Sequence, residues 1–342
     1  MSPHPPGLDL QALREHLDRH LPEELTGPLH AEILTGGRSN LTYRISTATQ
    51  TAVLRRPPLG HVLASAHDMS REHRVMTALA TTPVPVPKTL LLVEDPTPLG
   101  APFYLMEHIT GTTYREATQL VEIGPTRTTR IVEQLLTTLA ELHKVNPHEI
   151  DLDDFGRPRG FCARQVQRWR GQWEQSHTRD LPDADELHRR LAATIPPEQP
   201  PAIVHGDYRL DNVLVDDHDH IVAVIDWEMA TLGDPLTDLG LLCVYHHLAT
   251  LVPPGSTLVL DVPLAPGYPD LDHQLELYTH ASGRDLDHLG WYEALAFYKL
   301  AVILEGIHHR HLAGQTVGEG FAHIGGYVAP LLARGLDALT TG

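Results

Sequence analysis

The sequence predicts an α+β protein with a sheet-rich first part and a helical second part. Over roughly the first 110 residues, short apolar runs such as AEIL, LTYRIS, TAVLRR and FYLMEHI alternate with glycine and proline turns, which is the pattern of strands. From about residue 113 onward, apolar residues recur every three or four positions, as on one face of a helix. The content of 42% hydrophobic and 20% charged residues is typical of a globular chain.

The elements follow one another in a clear order. Leucines at helical spacing predict an opening helix over 8–21. Two strands then flank the glycine turn GGRSN, a third strand follows in TAVLRR, and a helix is predicted over 65–80 before two more strands. The second part predicts helices over 124–144, 160–180 and 183–194. After a proline-rich connector, IVHGDYRLDNVLV and HIVAVIDWE indicate short strands around a loop, and the remainder is mostly helical.

Charge and composition exclude several classes of protein. Lysine and arginine number 26 against 44 aspartates and glutamates, a formal charge of −18, whereas a nucleic-acid binder needs clustered basic residues. The longest stretch without charged residues, 239–260, contains histidines and prolines, so no membrane span is expected. No signal-peptide pattern is evident, and Cys162 and Cys243 are too few for a disulfide framework. We therefore expect a cytoplasmic protein with no nucleic-acid or membrane partner. The sequence leaves its oligomeric state open.

One segment carries most of the chemical information: HGDYRLDN at 205–212, followed by IDWE at 225–228. Asp207 and Asn212 lie five residues apart in one loop and can face a common point, and Asp226 follows the next strand. Phosphoryl transfer needs one carboxylate to orient a hydroxyl, with an amide and a second carboxylate to hold Mg²⁺. All three side chains supply the oxygen ligands that this hard cation takes.

Three motifs of this chain resemble those of one known family. H-G-D-x-x-x-x-N, I-D-W-E and G-D-P-x-x-D-L are similar to the aminoglycoside phosphotransferase/choline kinase-like family, which has the protein-kinase-like fold. The chain most resembles the branch associated with acyl-CoA dehydrogenases. The resemblance implies a bilobal α+β fold, with a β-rich nucleotide-binding lobe at 1–108 and a helical catalytic and acceptor-binding lobe at 109–342. It also implies that ATP and Mg²⁺ bind in the cleft between the lobes.

The resemblance assigns roles to the catalytic segment. Asp207 would be the base or the residue that orients the acceptor hydroxyl, and Asn212 and Asp226 would be the ligands of Mg²⁺. Arg209 stands where many kinases have a lysine near the γ-phosphate, and a cation there could offset charge during transfer. A salt bridge from Arg209 to a neighbouring carboxylate is an equally good interpretation.

The expected nucleotide contacts lie earlier in the chain. The loop Gly36-Gly37-Arg38-Ser39-Asn40 would approach the phosphates through its backbone, although by itself it is an ordinary hairpin turn. It lacks the full G-x-G-x-x-G pattern of the kinases.

A cation is also expected on the third strand. Arg55 takes the position of the strand lysine of kinases, and Glu72 matches the glutamate with which that lysine pairs. Viewed without the resemblance, Glu72 is an exposed residue among other charged side chains. Met106, Glu107 and His108 match the hinge strand, whose backbone would bond adenine, and an ordinary buried strand would look the same.

Several further residues receive weaker predictions. The resemblance implies that Asp238 accepts hydrogen bonds from the catalytic-loop backbone and that His205 anchors this loop. Lys299, Glu305 and Arg310 are candidate contacts to the acceptor. The polar run 216–220 fits a solvated hairpin tip better than a metal site.

Three functions compete at this point. The first is an ATP- and Mg²⁺-dependent small-molecule kinase, whose acceptor is a metabolite such as a hydroxy acid or hydroxyacyl-CoA. The second is an antibiotic phosphotransferase that acts on an aminoglycoside or a macrolide. The third is a catalytically silent nucleotide-binding module, for which the arginine in place of the strand lysine leaves some room.

Overall fold

The chain forms two compact units in the computed structural model, which describes residues 5–34, 40–59, 68–251, 260–315 and 321–341. The first unit comprises Met1–Thr112, Ile150–Leu152 and Val213–Ala230. The second comprises Thr113–Glu149, Asp153–Asn212 and Thr231–Gly342. The expected phosphate-loop residues 36–39 lie outside the described residues. The division into functional lobes at 1–108 and 109–342 stays a prediction.

The first unit is built on an antiparallel five-stranded sheet with the order β1-β2-β3-β5-β4. Its elements are β1 (His30–Ile33), β2 (Leu41–Ser46), β3 (Thr51–Arg56), β4 (Thr89–Val93), β5 (Phe103–Glu107), α1 (Leu10–His20) and α2 (Met69–Leu79). The alternation of side chains along β3 sends Ala52 and Leu54 into the apolar core that contains the leucines of α1. It therefore sends Arg55 to the opposite face of the sheet. Helix α2, which packs on β4 and β5, carries Glu72.

A second chain segment completes the first unit. It contains the hairpin β7 (Val213–Val215) and β8 (Ile221–Val224), followed by a single 3₁₀ turn at Trp227–Met229. The polar run between the two strands is a turn closed by Asp216, as the sequence predicts: Asp216 Oδ1 accepts hydrogen bonds from the backbone of His218 at 2.9 Å and His220 at 2.8 Å. Within the described ranges, no group of histidine, cysteine and carboxylate side chains has the arrangement of a metal site.

The second unit is mostly helical. Its helices are α3 (Ala117–Ile123), α4 (Pro125–Lys144), α5 (Phe161–Ser176), α6 (Pro182–Ala193), α7 (Leu236–Leu251), α8 (Leu271–Ser282), α9 (Leu289–Leu312) and α10 (Val328–Thr341). A two-stranded sheet pairs β6 (Ala202–Val204) with β9 (Thr231–Gly233). In the part of the chain that the structure describes, no helix is both long enough and apolar enough to cross a membrane.

Helices α7 and α9 pack closely at Gly240. A Cβ atom on this glycine would lie 2.8 Å from the backbone of Tyr292 on α9, so a larger residue would push the two helices apart. Further along the same helices, α7 carries Tyr245 and α9 carries Lys299, and both side chains contact the catalytic segment.

Candidate active site

The catalytic segment is a loop that leaves β6 and ends in a 3₁₀ turn at Leu210–Asn212. Gly206 has a φ of 84°, a conformation that glycine adopts without steric cost. The buried carboxylate of Asp238, at the start of α7, accepts hydrogen bonds from the backbone N–H groups of His205 and Gly206, both at 2.7 Å. This is the supporting contact expected of Asp238. His205 is also buried, and its Nδ1 lies 3.3 Å from the backbone nitrogen of Asp207.

A buried histidine, His143, contacts the carboxylate of Asp238. His143 Nε2 lies 3.3 Å from Asp238 Oδ2, and His143 Nδ1 lies 2.7 Å from the hydroxyl of Tyr278. Burial raises the pKa of Asp238, but the hydrogen bonds and positive charge that surround it outweigh burial, and the net pKa is lowered. The loop is therefore anchored on an ionised carboxylate.

The carboxylate of Asp207 is fixed on both oxygens. Tyr245 donates its hydroxyl to Oδ1 at 2.6 Å, and Asn212 donates its amide nitrogen to Oδ2 at 3.2 Å. The same nitrogen of Asn212 also donates to the backbone carbonyl of Asp207 at 2.8 Å. Asp207 and Asn212, five residues apart in the sequence, are therefore in direct contact through the amide nitrogen of Asn212. The other side-chain atom, Asn212 Oδ1, could face a cation.

Positive charge surrounds Asp207. Arg209 Nε lies 3.5 Å from Asp207 Oδ2 and 3.0 Å from Asp211 Oδ1, so the salt bridge considered for Arg209 is present. Burial alone would raise the pKa of Asp207, but Arg209, the Tyr245 hydroxyl and Lys299 lower it further than burial raises it. Asp207 is therefore a carboxylate at neutral pH, as its proposed role requires.

The residues proposed as acceptor contacts separate in the structure. Lys299 Nζ donates to the carbonyl of Gly206 at 2.9 Å and lies 5.9 Å from the ring centroid of Trp169, which brings it to the catalytic loop. Glu305 is fully buried and accepts hydrogen bonds from the backbone and hydroxyl of Thr178, at 2.8 and 2.6 Å. That arrangement gives Glu305 a structural role and argues against acceptor contact. Arg310 is exposed on α9.

The first unit holds a second charged cluster, centred on Arg55. Its Nε lies 3.1 Å from Glu72 Oε2, its Nη2 is ion-paired with Asp226 Oδ1, and the same nitrogen lies 3.6 Å from Glu228 Oε2. Only 1% of the Glu72 side chain is exposed, so the interpretation of Glu72 as an exposed residue is wrong. Asp226 has a φ of 67°, an uncommon conformation for a residue with a side chain and one that is frequent at functional sites.

Neutral side chains complete this cluster. Tyr104 donates its hydroxyl to Glu72 Oε2 at 3.0 Å, and Asn40 donates its amide nitrogen to both Glu72 and Glu228 at 3.1 Å. The side chain of Asn40, a residue expected in the phosphate loop, therefore bonds two carboxylates. Burial, together with the nearby Asp226, raises the pKa of Glu72 to about 7 despite the opposing effect of Arg55.

The proposed hinge residues lie at the end of β5. Met106 and Glu107 are its last two residues, and His108 follows. The backbone N–H of Glu107 donates to the carbonyl of Lys88 at 2.8 Å, so this particular group is already bonded.

Sequence reasoning missed Tyr104 and Asp211, which bond Glu72 and Arg209, as well as Tyr245 and Glu228. Tyr245 follows Asp238 by seven residues, which is two helical turns, and that spacing could have placed it beside the catalytic loop. Glu228 follows Asp226 by two residues within the IDWE motif. Nothing in the local sequence indicates that the Glu228 side chain meets Arg55.

The sequence profile of the phosphotransferase enzyme family matches residues 30–262 of this chain. Acyl-CoA dehydrogenase family member 11 from rat is 33% identical over 341 residues, which cover 96% of this chain and 43% of the relative. Family member 10 from mouse is 35% identical over 307 residues, which cover 89% of this chain and 29% of the relative. The chain therefore spans less than half the length of these curated relatives.

Solved structures give the same result for the fold. A candidate aminoglycoside phosphotransferase from Ralstonia eutropha has a TM-score of 0.84 and 33% identity, with 97% of this chain and 98% of that chain covered. A ternary complex of aminoglycoside phosphotransferase APH(4)-Ia with AMP-PNP and hygromycin B has a TM-score of 0.63 and 16% identity, with 97% and 100% covered. At that identity the likeness concerns the fold alone.

The chain belongs to the phosphotransferase enzyme family, and its α+β fold is protein-kinase-like. The family resemblance predicted from the sequence is confirmed, including the similarity to the acyl-CoA dehydrogenase branch. The fold class is confirmed as well.

Proposed function

We propose that this protein transfers the γ-phosphoryl group of ATP to a hydroxyl group of a small molecule, with Mg²⁺ as the cofactor. The observation that carries the proposal is the state of Asp207. It is held ionised by Arg209 and Lys299 and is bonded to Asn212 of the same loop. An ionised carboxylate on a firmly anchored loop is what the transfer needs to orient a hydroxyl and to accept its proton.

The catalytic loop would act mainly by positioning. Asp207 aligns the acceptor hydroxyl for in-line attack and takes its proton as the oxygen–phosphorus bond forms. Arg209, whose side chain is 27% exposed, remains accessible beside it and offsets negative charge during the transfer. Because little covalent chemistry is required of the protein, we attribute most of the rate enhancement to these two effects.

Two groups of residues would hold the nucleotide and its cation. Arg55 would neutralise phosphate charge, and the backbone of 106–108 would bond the adenine. The loop 36–40 is proposed to contact the phosphates. Mg²⁺, held by Asn212 and Asp226, would neutralise charge on the transferred group. The donor set fits this ion, because both residues offer hard oxygen ligands and Asp226 belongs to a cluster with more carboxylates than cations.

The proposed acceptor is anionic, such as a hydroxy acid or a hydroxyacyl-CoA. Arg209 and Lys299 lie beside the catalytic loop, and both side chains are partly exposed. Burial lowers the pKa of Lys299, and the charges of Asp207 and Asp238 oppose this effect. The relatives named acyl-CoA dehydrogenase family members support the same class. An antibiotic acceptor is the second candidate, supported by the neighbours named for aminoglycosides and macrolides. The positive charge near Asp207 disfavours a polycationic aminoglycoside.

A cytoplasmic location is part of the same proposal. Both cysteines are buried free thiols, which fits a reducing compartment.

The test is a thermal-shift titration with ATP, GTP and Mg²⁺ beside an ATP-consumption screen. The screen would contain hydroxy acids, hydroxyacyl-CoAs, aminoglycosides, macrolides and choline. We expect a Mg²⁺-dependent shift with nucleotide, because a ligand of the native state stabilises it, and turnover with an anionic acceptor. A nucleotide shift without consumption of any acceptor would favour the silent module, and the absence of any shift would contradict the proposal.

Asp207→Asn sharpens this test. We expect kcat to fall by roughly 100- to 10,000-fold, because the amide cannot take the proton, while the nucleotide shift persists. Asp216→Asn, in the hairpin turn of the first unit, is the control and should keep the wild-type rate. A near wild-type rate in Asp207→Asn would contradict the proposed catalytic role of Asp207.

A further inference from the structure

Tyr245 lies on helix α7, the same helix that supports the catalytic loop. Asp238, at the start of this helix, binds the loop backbone at His205 and Gly206. Tyr245 lies seven residues further on, and residues with this spacing share one face of a helix. One face of α7 therefore contacts the loop twice, first at its backbone and then at its reactive side chain.

Two contacts fix the tyrosine itself. Its hydroxyl donates to Asp207 Oδ1 at 2.6 Å, a usual distance for a charge-assisted hydrogen bond from a hydroxyl to a carboxylate. Its ring lies against the guanidinium of Arg209, with Arg209 Cζ 5.1 Å from the ring centroid. The ring is thus held between its own helix and the loop, and the direction of the hydroxyl follows from that placement.

The Asp207 carboxylate can accept further hydrogen bonds beside the one from Tyr245. A carboxylate has about four lone-pair sites, two on each oxygen. Tyr245 takes one on Oδ1 and Asn212 takes one on Oδ2. Arg209 also lies 3.5 Å from Oδ2. Both oxygens are therefore held in place, and Oδ1 has the capacity to accept a second hydrogen bond. Burial and the adjacent Asp207 carboxylate raise the pKa of Tyr245, so its phenol keeps its proton at neutral pH and acts as the donor.

We propose that Tyr245 is a positioning residue for phosphoryl transfer: its hydroxyl fixes the rotation of the Asp207 carboxylate so that an oxygen lone pair faces the acceptor hydroxyl. This inference rests on the proposed function of the same site. It adds a residue of α7, far from the catalytic motif in sequence, to the group that sets the geometry of the reaction. Tyr245 acts through Asp207 and takes no part in bond making.

The opposite role would be a block, in which Tyr245 occupies the place of the acceptor hydroxyl and must move away. Two observations favour positioning. The ring also packs on Arg209, so leaving Asp207 would break a second contact. In addition, the helix that carries the tyrosine is anchored to the loop at Asp238 and packed closely on α9 at Gly240.

Tyr245→Phe is the direct test, because it removes the hydroxyl and keeps the ring on Arg209. Tyr292→Phe is the matched control: it also removes a hydroxyl that donates to an aspartate of the second unit, Asp234 Oδ2 at 2.8 Å, away from the loop. We expect Tyr245→Phe to lower kcat by roughly 10- to 100-fold, as the loss of a hydrogen bond to a charged group predicts, with the KM for ATP unchanged. The control should keep the wild-type kcat.

A readout without turnover completes the design. The ¹³C resonance of the Asp207 carboxyl carbon, assigned by its loss in Asp207→Asn, should move in Tyr245→Phe and stay in place in Tyr292→Phe. An unchanged resonance, or a kcat equal to or above that of the wild type, would overturn the inference; a higher kcat or a lower acceptor KM would indicate the block instead. If the wild-type protein consumes no acceptor, the proposed function fails together with the role, whereas an active Tyr245→Phe variant removes the role alone.

Discussion

The two charged clusters of this protein differ in the charges that lie beside their carboxyl groups. In the first unit, the single guanidinium of Arg55 faces three carboxylates, those of Glu72, Asp226 and Glu228. In the second unit, the Asp207 carboxylate lies beside the cationic side chains of Arg209 and Lys299, which together with the Tyr245 hydroxyl lower its pKa further than burial raises it.

Burial acts on the carboxyl groups of both Glu72 and Asp207, but their pKa values shift in opposite directions. Burial favours the neutral form of a carboxyl group in both. In the first cluster the effect of burial prevails, because the nearby carboxylates also favour the neutral form, and the pKa of Glu72 is raised to about 7. In the second it is overcome by cations, and the pKa of Asp207 is lowered. At Glu72 and Asp207 the neighbouring charges therefore set the direction of the pKa shift, whereas at Asp211 burial prevails over Arg209 and the pKa is raised.

The largest expected effect tests the first cluster. Arg55→Ala would leave buried Glu72 without its counter-charge, next to two other carboxylates. We expect the free energy of unfolding to fall by about 3–5 kcal/mol, the cost of breaking a buried pair from one side.

Urea unfolding would measure this loss. Arg44→Ala is the control from the neighbouring strand, since Arg44 pairs with Glu32 at 2.7 Å but both side chains are largely exposed. Such a pair contributes about 1 kcal/mol or less. Equal losses for the two variants would mean that the first cluster behaves as an ordinary surface pair.

A smaller effect tests the anchor of the second cluster. Asp238→Asn would weaken the charge-assisted bonds to His205 and Gly206, and we expect a loss of about 1.5–3 kcal/mol together with a lower kcat, since the loop would be held less firmly. Asp216→Asn is matched to it, because Asp216 also accepts two backbone hydrogen bonds, but in an exposed turn. A stable Asp238→Asn variant with unchanged kcat would show that the anchor is dispensable.

The third prediction concerns pH and stability. Burial lowers the pKa of His143, with Arg284 acting in the same direction and Asp238 and Asp234 opposing it. In the unfolded chain this histidine takes up a proton near pH 6.5, whereas the folded protein does so only at lower pH. The free energy of unfolding should therefore decrease as the pH falls below about 6.5, down to the lowered pKa. The lowered pKa of Asp238 extends the loss in the same direction at more acidic pH.

His143→Gln isolates that contribution. Glutamine can bond both Asp238 and Tyr278 but does not titrate, so the dependence of the thermal midpoint on pH between 7.5 and 5.5, about one unit on either side of the ordinary histidine pKa, should become shallower. His280→Gln, at an exposed position of α8, should leave it unchanged. An identical slope in wild type and His143→Gln would remove His143 from the acid response.

Much of the architecture was predictable because it depends on local patterns. The short apolar run in TAVLRR, which ends at a proline pair, predicts β3, and the helical spacing of leucines predicts α4, since both are local features of the chain. The spacing of Asp207 and Asn212 likewise predicts one loop, because five residues are few enough to be closed by a single turn. The pairing of Arg55 with Glu72 was accessible only through the resemblance, as the two residues are 17 apart in sequence and lie on different elements.

By itself, the sequence determined the element order, the α+β class, the family and the residue types of the candidate site, because short-range periodicity and motif spacing are properties of the chain. Only the tertiary structure decided that Glu72 is buried, that Asn40 bonds carboxylates, that Glu305 is structural and that Tyr245 contacts Asp207. The last three contacts join residues 32, 127 and 38 positions apart in the chain. Such contacts, and the pKa changes that follow from them, depend on which elements pack together, and packing is a property of the folded molecule.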